Sequence, residues 1–239
     1  PLTDTTPFID NGYRTDSVTL TGYLRNLPSS RPFDVSIPDM ITGKEEKYQT
    51  DIDSLGRFTL RFPVLNSHNV FIDWGRTTIW SAVEPGETYF LYVDYAQQQK
   101  LFMGKKARVL NELLSHEGLR ESLDYNEEQK RSNLECLHKT QERLHRQLEF
   151  RKKTLQEHPL LSDKYRYTEQ ELRYDAASTL MQRRFSVDRN KQEHLEDEFM
   201  NYIDSAFYPH PVHPYTLLRG YNSFMRDYIG YIDDTTPSS

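Results

Sequence analysis

Phe102-Met103-Gly104-Lys105-Lys106-Ala107-Arg108-Val109-Leu110-Asn111 is the stretch where the chain changes character. Upstream of Gly104, short alternating apolar runs are broken by Gly and Pro, the pattern of an all-β domain. Downstream, apolar residues recur at spacings of three and four almost to the end of the chain, the pattern of amphipathic helices. The switch predicts an α+β protein with its two parts segregated. An antiparallel β-sandwich of transthyretin-like or immunoglobulin-like type over 16–104 is followed by an all-α helical domain over 105–232. Residues 1–15 read as a flexible lead-in and 233–239 as a polar tail.

Within the first half, Val18 and Leu20, then Tyr23 and Leu24, begin the alternation, and Asn26 to Pro32 mark a loop. Phe33, Val35 and Ile37 alternate again, and Tyr48 to Asp53 reads as a polar strand. Asp53-Ser54-Leu55-Gly56-Arg57 is a turn, followed by Phe58, Leu60 and Phe62 on one face and Arg57, Thr59 and Arg61 on the other. That is the clearest hairpin signal in the chain. Strands at Val70–Trp74 and Thr77–Val83 lead to Glu84-Pro85-Gly86-Glu87, with Pro and Gly at the centre of a type II turn. Tyr89, Leu91 and Val93 follow on one face and Phe90 and Tyr92 on the other. A run apolar on both faces reads as a central or doubly covered strand. Gln99–Met103 is the last short strand. Seven or eight strands in about 90 residues fit a sandwich.

In the second half, helices are expected at Lys105–His116, Glu127–His158, from near Ser162 to about Arg184, at Asn190–Ala206, and at Tyr215–Tyr231 with a break at Gly220. The long helix carries Leu134, Leu137, Gln141, Leu144, Leu148, Arg151 and Leu155 along its stripe. Glu127–Arg131, Glu135–Lys139, Glu142–Arg146 and Glu149–Lys153 are i,i+4 pairs with Glu first, each worth about 0.2–0.5 kcal/mol. Polar Gln141 and Arg151 at core positions favour packing within a helical domain over a protruding coiled-coil arm. Thr168-Glu169-Gln170-Glu171 fits a capping box.

Composition limits what such a chain does. In 239 residues the hydrophobic share is 36% and the charged share 28%, with a mean hydropathy of -0.81. These values fit a modest sandwich core and helices with wide solvated faces. With 16 Tyr, much of the burial must come from amphipathic rings. A net charge of -6 disfavours general nucleic-acid binding, which requires a basic field. No apolar stretch approaches the roughly 18 residues of a membrane span.

Chemistry-bearing residues are sparse. Cys136 is the one cysteine, and dithiol exchange needs two. It reads as a structural thiol. His210 and His213, set among Pro209, Pro211 and Pro214, are the most metal-like pair, yet zinc takes three or four ligands and no partner is evident. No cofactor is expected. Asp51 and Asp53 flank a Gly turn, where carboxylates ordinarily build the turn itself. Trp74, Trp80 and Tyr92 lie near strand ends and are the candidate ligand-stacking residues, with burial in the sandwich core as the simpler reading. No phosphate loop, nucleophile elbow or zinc-protease motif occurs.

Val18-Thr19-Leu20-Thr21-Gly22-Tyr23-Leu24, Leu55-Gly56-Arg57-Phe58 and Glu84-Pro85-Gly86-Glu87-Thr88 resemble the N-terminal β domain of thioredoxin-like cell-envelope thiol–disulfide oxidoreductases. The match is to the TlpA/ResA kind that carries long N-terminal extensions. The junction at 102–111 resembles theirs too, as does a helical region closing on a helix such as Tyr221–Tyr231. The resemblance covers residues 16–231. It implies an exported protein of the periplasm or cell envelope, membrane-anchored through an N-terminal segment that has been removed. In that family a thioredoxin domain with Cys-x-x-Cys follows, about where this chain ends at Ser239, so its catalytic cysteines map to no residue here. The resemblance therefore implies a non-catalytic accessory region that positions a C-terminal redox domain or binds an envelope partner. The alternative is a stand-alone module for an envelope glycan or peptide.

Overall fold

The computed structural model describes residues 15–27, 32–38, 44–65, 67–74, 77–117, 131–157, 162–185, 195–207 and 218–235. Eight strands come first: β1 (Asp16–Arg25), β2 (Phe33–Pro38), β3 (Glu45–Thr50), β4 (Arg57–Val64), β5 (His68–Trp74), β6 (Thr77–Val83), β7 (Thr88–Asp94) and β8 (Gln99–Met103). Helices follow: α1 (Arg108–Glu117), α2 (Asn133–Glu157), α3 (Ser162–Met181), a 3-10 turn at Gln182–Arg184, α4 (Asp197–Ala206) and α5 (Arg219–Thr235). The protein is α+β, a β-sandwich followed by helices.

The strands form two four-stranded sheets, β4-β1-β7-β8 and β3-β2-β5-β6. All pairs are antiparallel except β1–β7, which is parallel, with Thr21 opposite Phe90 and Tyr23 opposite Tyr92. The hairpin at Asp53–Arg57 forms as expected. Gly56 adopts φ +81°, a conformation that costs glycine no steric penalty, and its N–H donates to Asp53 O at 2.9 Å. Asp53 Oδ1 accepts the N–H groups of Leu55 (2.9 Å) and Arg57 (2.8 Å). The polar strand runs earlier than expected, over Glu45–Thr50, because Asp51 to Asp53 lead into this turn instead of pairing.

Alternation in β4 is complete, from exposed Arg57 to buried Val64, so one face of each sheet builds the core. Gly22 faces inward opposite Phe58. A Cβ there would lie 2.2 Å from Leu91 O and 2.6 Å from the Phe58 ring. The space that Gly22 leaves empty is filled by Phe58, which stacks on Phe33 of the other sheet with ring centroids 3.7 Å apart. Phe33 in turn stacks on Trp74.

The secondary structure changes at Gly104, but the packing boundary lies near residue 120. Helix α1 packs on β6 and β8, and Ala107 and Leu110 belong to the sandwich core. Lys106 fixes this start: its Nζ lies 2.8 Å from Glu84 Oε2 and 3.0 Å from Glu87 Oε1, at the β6–β7 turn.

The second unit holds α2, α3 from Tyr165 onward, α4 and α5. Ser132 and Glu135 form the reciprocal capping box that starts α2: Glu135 Oε2 accepts Ser132 N–H at 2.9 Å and Ser132 Oγ accepts Glu135 N–H at 3.2 Å. The helix thus begins at Asn133, six residues later than its periodicity predicts. Thr168, by contrast, lies inside α3 and is fully buried, so the Thr168–Glu171 box caps nothing. On α2 the buried residues are Cys136, Leu137, Thr140, Arg143, Leu144, Gln147 and Arg151, a seam rotated from the leucine stripe and more polar than it. Glu149 reaches Lys152 at 3.9 Å, one residue short of the i,i+4 partner. The last helix runs through Thr235, so Asp233 and Asp234 are helical rather than tail. Gly220 does not break it. It sits in the first turn, where a Cβ would come within 2.7 Å of the Tyr174 backbone.

Candidate binding face

Strand alternation leaves the outer face of the β4-β1-β7-β8 sheet with a defined grid. Register places Arg57, Tyr23, Tyr92 and Leu101 in one row, and Thr59, Thr21, Phe90 and Met103 in the next. Leu101 and Met103 are 45% and 42% exposed, and Tyr23, Phe90 and Tyr92 are half-buried. Five apolar or aromatic side chains on an outer face are unusual for a sheet that turns that side to water, where alternation normally supplies polar residues.

At the β4 side of this face lies a cleft of about 790 Å³, lined by Tyr23, Phe90, Thr21, Thr59, Leu55, Phe58, Arg57, Asp51 and Asp53 around Gly22. Its size falls within the usual range for small-molecule sites, roughly 300–1,000 Å³. Thr21 donates its hydroxyl to Phe58 O at 3.0 Å, and its oxygen lies 3.0 Å from Thr59 Oγ1. With the Thr21 proton committed to Phe58, Thr59 is the donor of that pair, leaving its lone pairs toward solvent. Arg57 Nε donates to Asp53 Oδ2 at 2.8 Å. Hydrogen bonds from Arg57 hold the Asp53 carboxyl below its usual value, so Asp53 is committed to the turn. Asp51 stands exposed at the rim.

Past this grid, burial pushes the Asp94 carboxyl up, while hydrogen bonds from Asn26, Gln97 N–H and Ala96 N–H, with Arg25 nearby, outweigh it and hold it below its usual value. Asp94 closes the β7–β8 turn rather than facing a ligand.

The three candidate stacking residues do not converge, and for Trp74 the simpler reading of core burial holds. Trp74 is 1% exposed and part of the core, because it faces inward in β5. Trp80 sits on the outer face of the other sheet, stacked on Phe71 at 6.5 Å. There Asp34 stands opposite Asp73, with Lys47 Nζ 2.9 Å from Asp34 Oδ2. Tyr92 alone belongs to the aromatic grid, tilted on Tyr23 at 6.1 Å. Asp53 serves the turn, while Asp51 stands at the rim of the cleft. Cys136 is buried in α2. His210 and His213 lie outside the described residues. Among the described residues no group of three His, Cys, Asp or Glu side chains is placed to hold a metal ion, and no helix is long and apolar enough to cross a membrane. Sequence reasoning missed Tyr23 and Phe90 as surface residues, although the two-faced apolar run of β7 was the signal for Phe90.

Comparison with protein-family models and with curated proteins returns no match. Among solved structures, the chain is similar to a "putative cell adhesion protein" from Bacteroides ovatus. Identity is 12%, with 38% of this chain and 43% of that one covered and a TM-score of 0.26. The match spans less than half of that protein's length, and its TM-score is too low to bear on fold or function.

Proposed function

We propose that this chain is a non-catalytic binding and positioning region of an envelope thioredoxin-like protein of the TlpA/ResA kind. It holds a C-terminal dithiol domain or engages a partner in the periplasm or cell envelope. The observation that carries the reading is the grid of aromatic and apolar side chains, Tyr23, Phe90, Tyr92, Leu101 and Met103, on the outer face of the sheet, a surface suited to recognition. The single thiol, Cys136, is buried, which supports a role outside dithiol exchange. Lys106, Glu84 and Glu87 are engaged with one another in holding the fold.

Insulin reduction tests this. The chain alone should show no turnover, and turnover should appear when a Cys-x-x-Cys domain is joined after Ser239. Turnover by the chain alone refutes the reading. The second reading, a stand-alone module for an envelope glycan or peptide, is favoured by the cleft between Tyr23 and Phe90.

A further inference from the structure

We propose that the cleft on the outer face of β4-β1-β7-β8 binds an oligosaccharide, stacked on Tyr23 and Phe90. The proposal rests on the reading of this chain as a binding region and names the ligand of its exposed face.

The edges of the sheet argue against an extended peptide. A peptide strand adds to a sheet through unpaired edge N–H and C=O groups. At the β4 edge, Asp53 takes both outward backbone groups of Arg57: its Oδ1 accepts Arg57 N–H and its own N–H donates to Arg57 O at 2.9 Å. Pro63, further along the same edge, has no N–H to offer. At the β8 edge, the Asn111 carboxamide occupies both backbone groups of Phe102. These contacts shorten the open stretch of both edges, and a ligand lying on the face itself is recognised through side chains.

Those side chains match a sugar. Ring faces carry negative charge and attract the slightly positive C–H edges of a pyranose, and Tyr23 and Phe90 supply two such rings on adjacent strands. Thr59 Oγ1, already donating to Thr21, offers its lone pairs to a sugar hydroxyl, and Asp51 at the rim offers a carboxylate. Charge selects against other ligands. Asp53 and Arg57 neutralise each other within the turn, so the lining gives no cationic field for a phosphate or a nucleic acid. The paired threonines and the Asp51 carboxylate supply hydrogen-bonding groups that a lipid chain would leave unused.

The test is a glycan array of microbial, plant and host oligosaccharides probed with the whole chain. Hits are titrated calorimetrically and mapped by amide chemical shifts. The expected result is a hit that perturbs the amides of Tyr23, Thr59 and Phe90, with affinity falling at least tenfold in Tyr23→Ala and Phe90→Ala. Thr59→Arg fills the cleft from an exposed position without touching the core, and it should abolish binding while leaving the melting temperature unchanged. No hit from the folded wild-type chain overturns the proposal. So does binding that Thr59→Arg leaves intact, or shifts that map elsewhere. Capture of a peptide or protein on this face without any glycan also overturns it, yet leaves the binding-region reading standing. Turnover in the insulin assay strikes that broader reading alone.

Discussion

The side-chain amide of Asn111 pairs with both backbone groups of Phe102. Its Oδ1 accepts the Phe102 N–H at 2.7 Å and its Nδ2 donates to the Phe102 carbonyl at 2.7 Å. One side chain from α1 thus does at the β8 edge what a neighbouring strand would do. Phe102 is 1% exposed, so these backbone groups have little recourse to water. Replacing Asn111 with Leu leaves a buried donor and acceptor unpaired, at about 1–3 kcal/mol, and reopens the edge. The expected outcome is a lower urea midpoint together with concentration-dependent association by size-exclusion chromatography. Asn111→Asp keeps the acceptor for Phe102 N–H but sets a carboxylate oxygen against the Phe102 carbonyl, so it should also lower the urea midpoint.

Gly22 is a second position where one atom decides packing. An added Cβ would meet Leu91 O at 2.2 Å, and a backbone atom cannot swing away. Gly22→Ala should destabilise the sandwich by about 1–3 kcal/mol or more. Trimming the neighbouring ring with Phe58→Leu should fail to restore stability, because the Leu91 carbonyl remains in the way. Urea unfolding of the single and double variants measures both, and a neutral Gly22→Ala would contradict this packing.

Lys106 ties stability to alkaline pH. Burial lowers its ammonium pKa, but the hydrogen bonds to Glu84 and Glu87 outweigh it, so the net value lies above its ordinary 10.5. A group raised on folding contributes fully below its unfolded pKa and loses that contribution as pH rises through the folded value. The alkaline loss of stability should therefore flatten in Lys106→Met, whose melting temperature at neutral pH should also be lower. Melting curves taken from pH 8 to about pH 11 check this.

At the acid end the sign reverses. Asp94 has a depressed pKa, so its contribution is present above its ordinary 3.8 and is lost as pH falls through the folded value. Asp94→Asn should lower stability near neutrality and reduce the change seen on acidification. An unaltered acid limb would mean that other carboxylates control it.

How much of this was legible in the sequence depends on whether the determining partner is local. The Asp53–Arg57 hairpin was readable because its glycine, its carboxylate and its strand alternation lie within ten residues. The type II turn at Glu84–Glu87 was readable for the same reason. The parallel pairing of β1 with β7 was not, since alternation names the buried face but not the neighbouring strand. The Asn111 clasp could not be seen for a related cause: nothing distinguishes that residue from any other helical asparagine until β8 lies beside it. Trp74 and Tyr23 show the limit at the candidate site. Ring size pointed to Trp74, but inward register buried it, while the smaller Tyr23 reached the open face. Periodicity puts Arg151 on the buried stripe of α2, but its buried neighbours Thr140, Arg143 and Gln147 escape it because they lie off the leucine stripe.

That seam makes Cys136 a reporter for the helical unit. Its side chain lies beside Leu137 on the buried face and is 4% exposed, so an aromatic disulfide reagent reaches it only when α2 detaches or the unit opens. Labelling of the native chain should be slow and should rise to one equivalent in denaturing urea. Arg143→Leu removes the guanidinium that donates to Thr179 Oγ1 at 3.5 Å between α2 and α3, and it should change the native labelling rate while leaving the sandwich melting transition in place. Immediate stoichiometric labelling of the folded wild-type chain would show that the thiol is open to solvent, and would remove the structural role assigned to it here.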